Sequence, residues 1–261
     1  DSRSLVKAII KEMKLDDKTY KPAVVADRIS MAKNHLILPA AYRQSTARMT
    51  EDARRQMPKT GEIYEVYCRR CRAANAMDFD DLLVNTFLLF NHHPDVLARY
   101  EERYKYVLVD EYQDTNKVQQ QIVWLLTRQR QKICVVGDDA QSIYSFRGAN
   151  IDNILDFNKL YDNVKLCKLE QNYRSTQLIV EAANSLISHN TRQIRKQVFS
   201  QNEKGEKIKV KNLYSDREEA KVVCDDIRAI KRQQQCRYSD FAILYRTNSQ
   251  SRAFEEQMIK E

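Results

Sequence analysis

Glycine is scarce in this chain. The 261 residues contain only Gly61, Gly137, Gly148 and Gly205, and proline is equally rare. None of these glycines is followed by Lys-Ser or Lys-Thr, so the G-x-x-x-x-G-K-[ST] loop, which cradles phosphates with backbone N–H groups, is absent. The sequence also contains no internal repeat and no low-complexity segment. The sequence therefore predicts a globular chain that has no phosphate-cradling loop of its own.

Long apolar runs and paired cysteine motifs are missing as well. No run approaches the roughly 20 apolar residues of a membrane-spanning helix, and the first residues lack a signal-peptide layout. Among six scattered cysteines, only Cys68 and Cys71 form a C-x-x-C pair. A zinc site needs a second ligand pair, so these thiols are predicted to pack on one helix face. This cysteine usage predicts the reduced thiols of a cytoplasmic protein. The lack of a long apolar run and the many charged residues predict that the protein makes no membrane contact.

The positive charge is concentrated at one end. The chain has a formal net charge of +8, and residues 1–76 hold 16 Lys and Arg against 9 Asp and Glu. An excess of this kind is typical of a segment that contacts nucleic acid. The same count also fits a helical surface that merely carries many basic residues.

One apolar run leads into two adjacent acids. Residues 106–109 read Tyr-Val-Leu-Val, which predicts a strand buried on both faces, and Asp110 and Glu111 follow it. Ligands of open α/β sheets bind at the carboxyl ends of strands. One acid there could hold Mg²⁺ through water, and its neighbour could orient an attacking water. For a bare acid pair alone, the default interpretation would be solvated residues that cap the next helix.

A second buried strand is predicted over residues 132–136, after a helix over 116–130. This β-α-β order favours a parallel sheet, in which both strand ends meet the same cleft. Asp110, Glu111 and Gln141 would then converge on one ligand.

Elsewhere the pattern predicts helices throughout residues 1–76, with Asp78 as the N-cap of a further helix. It also predicts helices over 151–161, 175–189 and 216–234 and strands over 164–169, 208–214 and 241–245.

Four ordered segments resemble the UvrD/PcrA/Rep-type superfamily 1 DNA helicases. Asp-Glu-Tyr-Gln-Asp-Thr at 110–115 matches that family's Walker B box, and residues 135–149 resemble its motif III. Residues 169–176 resemble motif IV, and residues 241–252 resemble the next shared block. The likeness runs from about Met77 to the end, and the first 76 residues fit more loosely.

The resemblance implies an α/β fold made of parts of two RecA-like P-loop NTPase motor domains, plus an all-helical subdomain. Residues 1–76 would be the helical subdomain, 77–167 the C-terminal part of the first motor domain, and 168–261 the N-terminal part of the second. Because the family's P-loop and last motifs are missing, we expect the chain to be an internal piece of a longer helicase.

The resemblance also implies roles at an ATP site. Asp110 would hold Mg²⁺, Glu111 would act on the attacking water, and Gln141 would sense the γ-phosphate. Tyr173 would stack on adenine, and Arg174 would reach the γ-phosphate as an arginine finger. Without the resemblance, a surface salt bridge would be the default interpretation of that arginine.

Single-stranded DNA would lie on the loop that follows Gln141. Tyr144 and Phe146 offer rings on which bases can stack, and Arg147 offers a cation for a phosphate or a link between the two sites. Core packing is the alternative for both rings. Asn248 or Arg246 could also meet DNA, or could cap the last helix.

Two positions depart from the family. Relatives commonly carry an acid where Ala140 stands, and a tryptophan where Phe146 stands. The phenylalanine keeps a stacking face with less area, whereas the role of position 140 stays open.

The parent protein is therefore expected to be an ATP-dependent, Mg²⁺-requiring DNA helicase or translocase that moves 3′ to 5′ on single-stranded DNA and at junctions with duplex. The chain alone is expected to be inactive. A non-catalytic DNA-binding scaffold and the helicase subunit of a helicase–nuclease complex are the alternatives.

Overall fold

The computed structural model describes residues 2–260, which form two compact units. The first contains the residues up to Asn172 together with Ala182–Phe199, and the second contains Tyr173–Glu181 and the residues from Ser200 on. Each unit is described by itself.

Helices account for most of the regular structure. They are α1 (Ser2–Glu12), α2 (Pro22–Asn34), α3 (Pro39–Gln44), α4 (Thr46–Arg54), α5 (Thr60–Ala73), α6 (Phe79–His92), α7 (Pro94–Arg103), α8 (Lys117–Thr127), α9 (Asp152–Leu155), α10 (Gln177–Ile187), α11 (Asp216–Gln234) and α12 (Ser251–Lys260). The strands are short: β1 (Val107–Val109), β2 (Ile133–Val135), β3 (Gln171–Asn172) and β4 (Phe199–Ser200).

Residues 2–73 form a helical bundle, as predicted. Apolar residues at helical spacing, such as Val6 and Ile9 of α1, are fully buried. They pack with residues of α2, α3 and α5 in one hydrophobic core. Cys71 belongs to that core and Cys68 packs against it, which confirms that the C-x-x-C pair is a packing feature.

A buried ion cluster joins the bundle to α6. The side-chain amine of Lys33 lies 2.6 Å from Asp78 Oδ2 and 2.7 Å from Asp81 Oδ1, and Lys33 is 1% exposed. Asp78 also accepts a hydrogen bond from the Tyr67 hydroxyl at 2.7 Å. A reciprocal capping box between Asp78 and Asp81 begins α6, which confirms the predicted N-cap.

We expect Lys33→Met to destabilise the protein by about 3 kcal/mol, because removing the buried amine leaves two part-buried carboxylates without their cation. Denaturant unfolding would measure the loss, and Lys7→Met, on the exposed side of α1, is the matched control.

Burial acts to raise the pKa of Asp78, but the hydrogen bonds from Lys33 and Tyr67 outweigh it and lower the pKa. The stabilisation is thus present above the ordinary aspartate pKa and is lost as pH falls through the lowered value. An unchanged free energy of unfolding in Lys33→Met would contradict this account.

The β1-α8-β2 unit has the predicted parallel pairing. Val107 pairs with Ile133, and the register continues to Val109 opposite Val135. Asn116 begins α8 through a capping box with Gln119. Both strands therefore present their carboxyl ends at one edge.

The prediction that these strands are buried on both faces is wrong. Leu108 is 77% exposed, and Cys134 opposite it is also exposed. A strand is buried on both faces only where other elements cover both sides. Within residues 2–260, β1 and β2 pair only with each other, and one face of the pair is open.

The predictions of three other strands are also wrong. Residues 164–169, 208–214 and 241–245 have no strand conformation, and Val210 and Leu244 are more than nine-tenths exposed. An apolar or alternating pattern becomes a strand only with a partner to bond its backbone, and the described residues supply none there. The helix predicted over 151–161 is broken into α9 and a 3₁₀ turn at Phe157–Lys159.

The second unit is built around α11, which spans the predicted 216–234. Ser215 caps it, and Ala220 and Cys224 are buried on its inner face. Phe254 of α12, which packs against α11, is buried too. In the described part of the chain, no helix has the length and apolarity to cross a bilayer.

Candidate functional site

Asp110 and Glu111 emerge directly after β1, and both are exposed. Glu111 has a left-handed backbone conformation, with φ of 49°, and its N–H donates to Asp110 Oδ1 at 2.9 Å. Such a conformation costs a non-glycine residue about 1–3 kcal/mol. The chain therefore turns sharply at the acid pair and presents both carboxylates at the edge of the sheet.

Gln113 joins the two strand ends, and sequence reasoning missed it. Its side-chain N–H donates to Glu111 Oε2 at 2.8 Å, and its side-chain oxygen Oε1 accepts from the backbone N–H of Asp138 at 3.0 Å. Gln113 is 1% exposed. An amide that both donates and accepts can connect a carboxylate to a backbone N–H, which is the only sequence signal for this role.

Gly137 makes room for that connection. A Cβ atom at this position would lie 2.6 Å from Gln113 Oε1 and 2.9 Å from Ile154 Cδ1. We expect Gly137→Ala to destabilise the protein by about 1–3 kcal/mol, since overpacking forces side chains off their rotamers. Denaturant unfolding measures this effect. Full stability together with an unmoved Gln113 in a crystal structure of the variant would contradict it.

Asp138 extends the chain of contacts to Gln141. The Gln141 side-chain N–H donates to Asp138 Oδ2 at 2.9 Å, and the backbone N–H of Ala140 donates to Oδ1 at 3.1 Å. Burial acts to raise the pKa of Asp138, but the hydrogen bonds from Lys196 and Gln141 lower it overall. Asp138 is therefore a charged acceptor. The structure thus connects Glu111 to Gln141 through Gln113 and Asp138.

Tyr144, Phe146 and Arg147 form an exposed aromatic cluster. The Tyr144 and Phe146 rings lie 5.9 Å apart at 34°, and the Arg147 guanidinium lies 5.4 Å and 5.6 Å from their centroids. Phe146 is 67% exposed and Tyr144 39%. Core packing, the alternative for both rings, is therefore wrong. Rings with an adjacent cation suit contact with stacked bases and phosphate.

The aromatic cluster is fixed to both the bundle and the acid pair's own segment. The Asn116 side chain donates to Asn34 Oδ1 at 2.9 Å, and both residues are buried. Gly148, with φ of 88°, packs against Asn34, where a Cβ would lie 3.1 Å from the Asn34 Cβ. Asn153 donates to the Thr115 carbonyl at 3.0 Å. The loop that carries the rings is therefore held at its base.

The other predicted site residues lie in the second unit. Tyr173 and Arg174 follow β3 directly and are both exposed, with Tyr173 78% exposed. Asn248 begins a 3₁₀ turn ahead of α12, and Arg246 precedes it, and both are exposed. Asp110, Glu111, Gln141 and the aromatic cluster lie in the first unit.

Among residues 2–260, no three His, Cys, Asp or Glu side chains come together as a metal site. Mg²⁺ bound with a nucleotide takes only one or two carboxylates, and phosphates and waters supply the other ligands. The exposed Asp110 carboxylate, one of whose oxygens accepts from the Glu111 N–H, fits that donor set.

Comparison with the profiles of known protein families assigns the chain to one class of protein. The profile of the UvrD/REP helicase N-terminal domain matches residues 1–162, and that of the UvrD-like helicase C-terminal domain matches residues 167–261. The chain belongs to the UvrD/REP helicase family.

Particular relatives agree with this assignment. The chain is 42% identical over 258 residues to the ATP-dependent DNA helicase PcrA of Leuconostoc citreum, which covers 99% of the chain and 34% of the relative. It is 42% identical to PcrA of Staphylococcus aureus over 261 residues and 41% identical to PcrA of Staphylococcus epidermidis over 260 residues. Both alignments cover 100% of the chain and 35% of the relative. The chain spans about a third of the length of these relatives.

Proposed function

We propose that these residues belong to an ATP-dependent DNA helicase or translocase that moves 3′ to 5′ on single-stranded DNA. The observation that carries the proposal is the chain of hydrogen bonds from Glu111 through Gln113 and Asp138 to Gln141. It joins the ends of two adjacent parallel strands, where ligands of such sheets bind. Membership of the helicase family and likeness to proteins named ATP-dependent DNA helicases support it.

Each residue at the strand ends has a task in this proposal. Asp110 holds Mg²⁺, which supplies charge neutralisation at the phosphates. Glu111 orients and deprotonates the attacking water, and Gln113 fixes the direction of the Glu111 carboxylate. Gln141, held by Asp138, donates to a γ-phosphate oxygen.

Tyr173 and Arg174 supply the remaining nucleotide contacts in this proposal. Tyr173 offers its exposed ring to adenine. Arg174 places a guanidinium on the γ-phosphate, where it stabilises charge spread over the phosphate oxygens. The two residues follow one another in the chain, so the binding of adenine and the placement of the arginine are coupled.

Single-stranded DNA lies on the aromatic cluster of Tyr144, Phe146 and Arg147 in this proposal, with Asn248 as a further contact. Stacking contributes about 1–3 kcal/mol per base without sequence preference, which suits a motor that tracks any strand. Gln141 and the rings share one loop, so ATP hydrolysis and strand movement are coupled over a few residues.

The proposed architecture is a helical subdomain over 1–76 and parts of two RecA-like motor domains over 77–167 and 168–261. The two family profiles end and begin at 162 and 167, which supports the boundary between the motor domains. We further propose that these 261 residues hydrolyse ATP poorly alone, because they contain no phosphate-cradling loop.

The test is ATP hydrolysis by the full-length protein with and without single-stranded DNA, beside unwinding of duplexes with a 3′ or a 5′ tail. We expect strong stimulation by DNA and unwinding of the 3′-tailed duplex. DNA binding without hydrolysis would favour the non-catalytic scaffold, and unwinding from the 5′ tail would overturn the direction. Brisk Mg²⁺-dependent turnover by the 261 residues alone would overturn the inactivity of the isolated chain.

A further inference from the structure

The segment 192–196, which follows α10, belongs to the first unit and is held there by several polar contacts. Arg192 forms an ion pair with Asp152. The Lys168 amine donates to the Arg195 carbonyl at 2.7 Å. The segment therefore has a defined position without a hydrophobic core of its own.

Its central contacts are made to the loop after β2. The backbone N–H of Ile194 donates to Asp139 Oδ2 at 2.8 Å. The Lys196 amine lies 2.5 Å from Asp138 Oδ1 and 3.3 Å from Asp139 Oδ1. Asp139 is 6% exposed, so its carboxylate is satisfied within the protein rather than by bulk water.

We propose that Lys196 is a positioning residue for Gln141. Lys196 holds one oxygen of the Asp138 carboxylate, and the other oxygen receives the Gln141 side-chain N–H. The orientation of Gln141 is thus set by an amine that lies 58 positions along the chain from Asp138. This inference rests on the proposed role of Gln141 at the γ-phosphate.

The contact differs from an ordinary surface ion pair. An exposed pair is screened by water and salt and contributes little. Here the side chain of Lys196 is 21% exposed, that of Asp138 33% and that of Asp139 4%, and one amine serves two carboxylates. A single carboxylate that receives both Lys196 and Gln141 transmits any displacement of the segment to the Gln141 amide.

The contact also joins the two halves of the family pattern. Asp138 and Gln141 lie in the region matched by the N-terminal helicase profile, and Lys196 lies in the region matched by the C-terminal one. The proposed sensor of the γ-phosphate is therefore completed by a residue from the C-terminal region. In this proposal, ATP hydrolysis is fastest while the segment 192–196 contacts the loop after β2.

The test compares Lys196→Met and Lys196→Arg in the full-length protein by DNA-stimulated ATP hydrolysis. We expect Lys196→Met to lower kcat about tenfold, since small misplacements of a positioned group can cost up to about 10²-fold. The KM for ATP should stay within about twofold, because the interaction acts after binding. Lys196→Arg, which keeps the charge, should restore most of kcat. Lys165→Met, at an exposed lysine of the same unit, is the matched control and should leave kcat unchanged.

A second measurement asks whether Lys196 acts through Gln141. In the Gln141→Ala background, Lys196→Met should cause no further fall in kcat, because residues that act as a unit are not additive. Independent, multiplying effects would overturn the proposal, and so would normal kcat in Lys196→Met.

Hydrogen exchange of a peptide spanning 139–142 reports the contact without any activity. Backbone N–H groups of this stretch bond to Asp138 and Asp139, so Lys196→Met should speed their exchange. Unchanged exchange would overturn the holding role of Lys196. If the wild-type protein does not hydrolyse ATP, the proposed function fails, and exchange still decides whether Lys196 holds the loop.

Discussion

Glu111→Gln in the full-length protein is expected to lower DNA-stimulated ATP hydrolysis by about 10²–10⁴-fold, the usual contribution of a general base. The change should act on chemistry alone. A glutamine oxygen can still accept the hydrogen bond that Gln113 gives to Glu111, so the connection to Asp138 survives. Side-chain size and the left-handed backbone at position 111 are also preserved. Single-turnover hydrolysis with saturating single-stranded DNA measures the effect.

Glu102→Gln is the control for this experiment, because it makes the same change at an exposed position of α7. It should hydrolyse ATP normally. DNA binding by fluorescence anisotropy should be intact in both variants. If Glu111→Gln retained more than a tenth of the wild-type rate, another group would have to be the base and Glu111 would lose its proposed role.

Arg174→Ala is expected to have an effect of similar or greater size, because arginine fingers contribute about 10³–10⁵-fold in rate. Arg174 and its neighbour Tyr173 are both exposed just after β3. Loss of the guanidinium should therefore reduce kcat far more than nucleotide binding. Tyr173→Ala should do the opposite and weaken nucleotide binding, since stacking acts before the chemical step.

Arg130→Ala removes the same charge from an exposed position after α8 and should hydrolyse ATP at the wild-type rate. Binding of a fluorescent ATP analogue separates the two effects. A tenfold weaker affinity with normal kcat in Arg174→Ala would show that this arginine binds ground-state nucleotide and is not a finger.

Features that depend on neighbouring residues were predictable from the sequence. The N-cap of α6 and the span of α11 follow from polar residues at fixed offsets from apolar ones. The parallel pairing of β1 and β2 follows from the order strand, helix, strand. The acid pair and the rings of Tyr144 and Phe146 could be proposed as site residues for the same reason, because each lies within one short segment.

Features that depend on distant partners were not predictable. The strands expected over 208–214 and 241–245 lack partners in the described residues, and the sequence cannot state whether a partner is present. Gln113 and Lys196 gain their roles only when β1, β2 and the segment after α10 come together. A single glutamine or lysine has no local sequence pattern that predicts such a contact.

The bond between Asn116 and Asn34 has a consequence for the order of events during synthesis. It closes a stretch of 82 residues, whereas the helical bundle draws its core from residues 6–71 alone. Short-range contacts form fast, and domains fold from the N-terminus as the chain leaves the ribosome. The bundle can thus be folded before the loop that carries Tyr144 and Phe146 has been synthesised. The aromatic cluster should become ordered only after Gly148 packs against Asn34 of the folded bundle. A nascent chain would therefore form its proposed DNA-binding surface late.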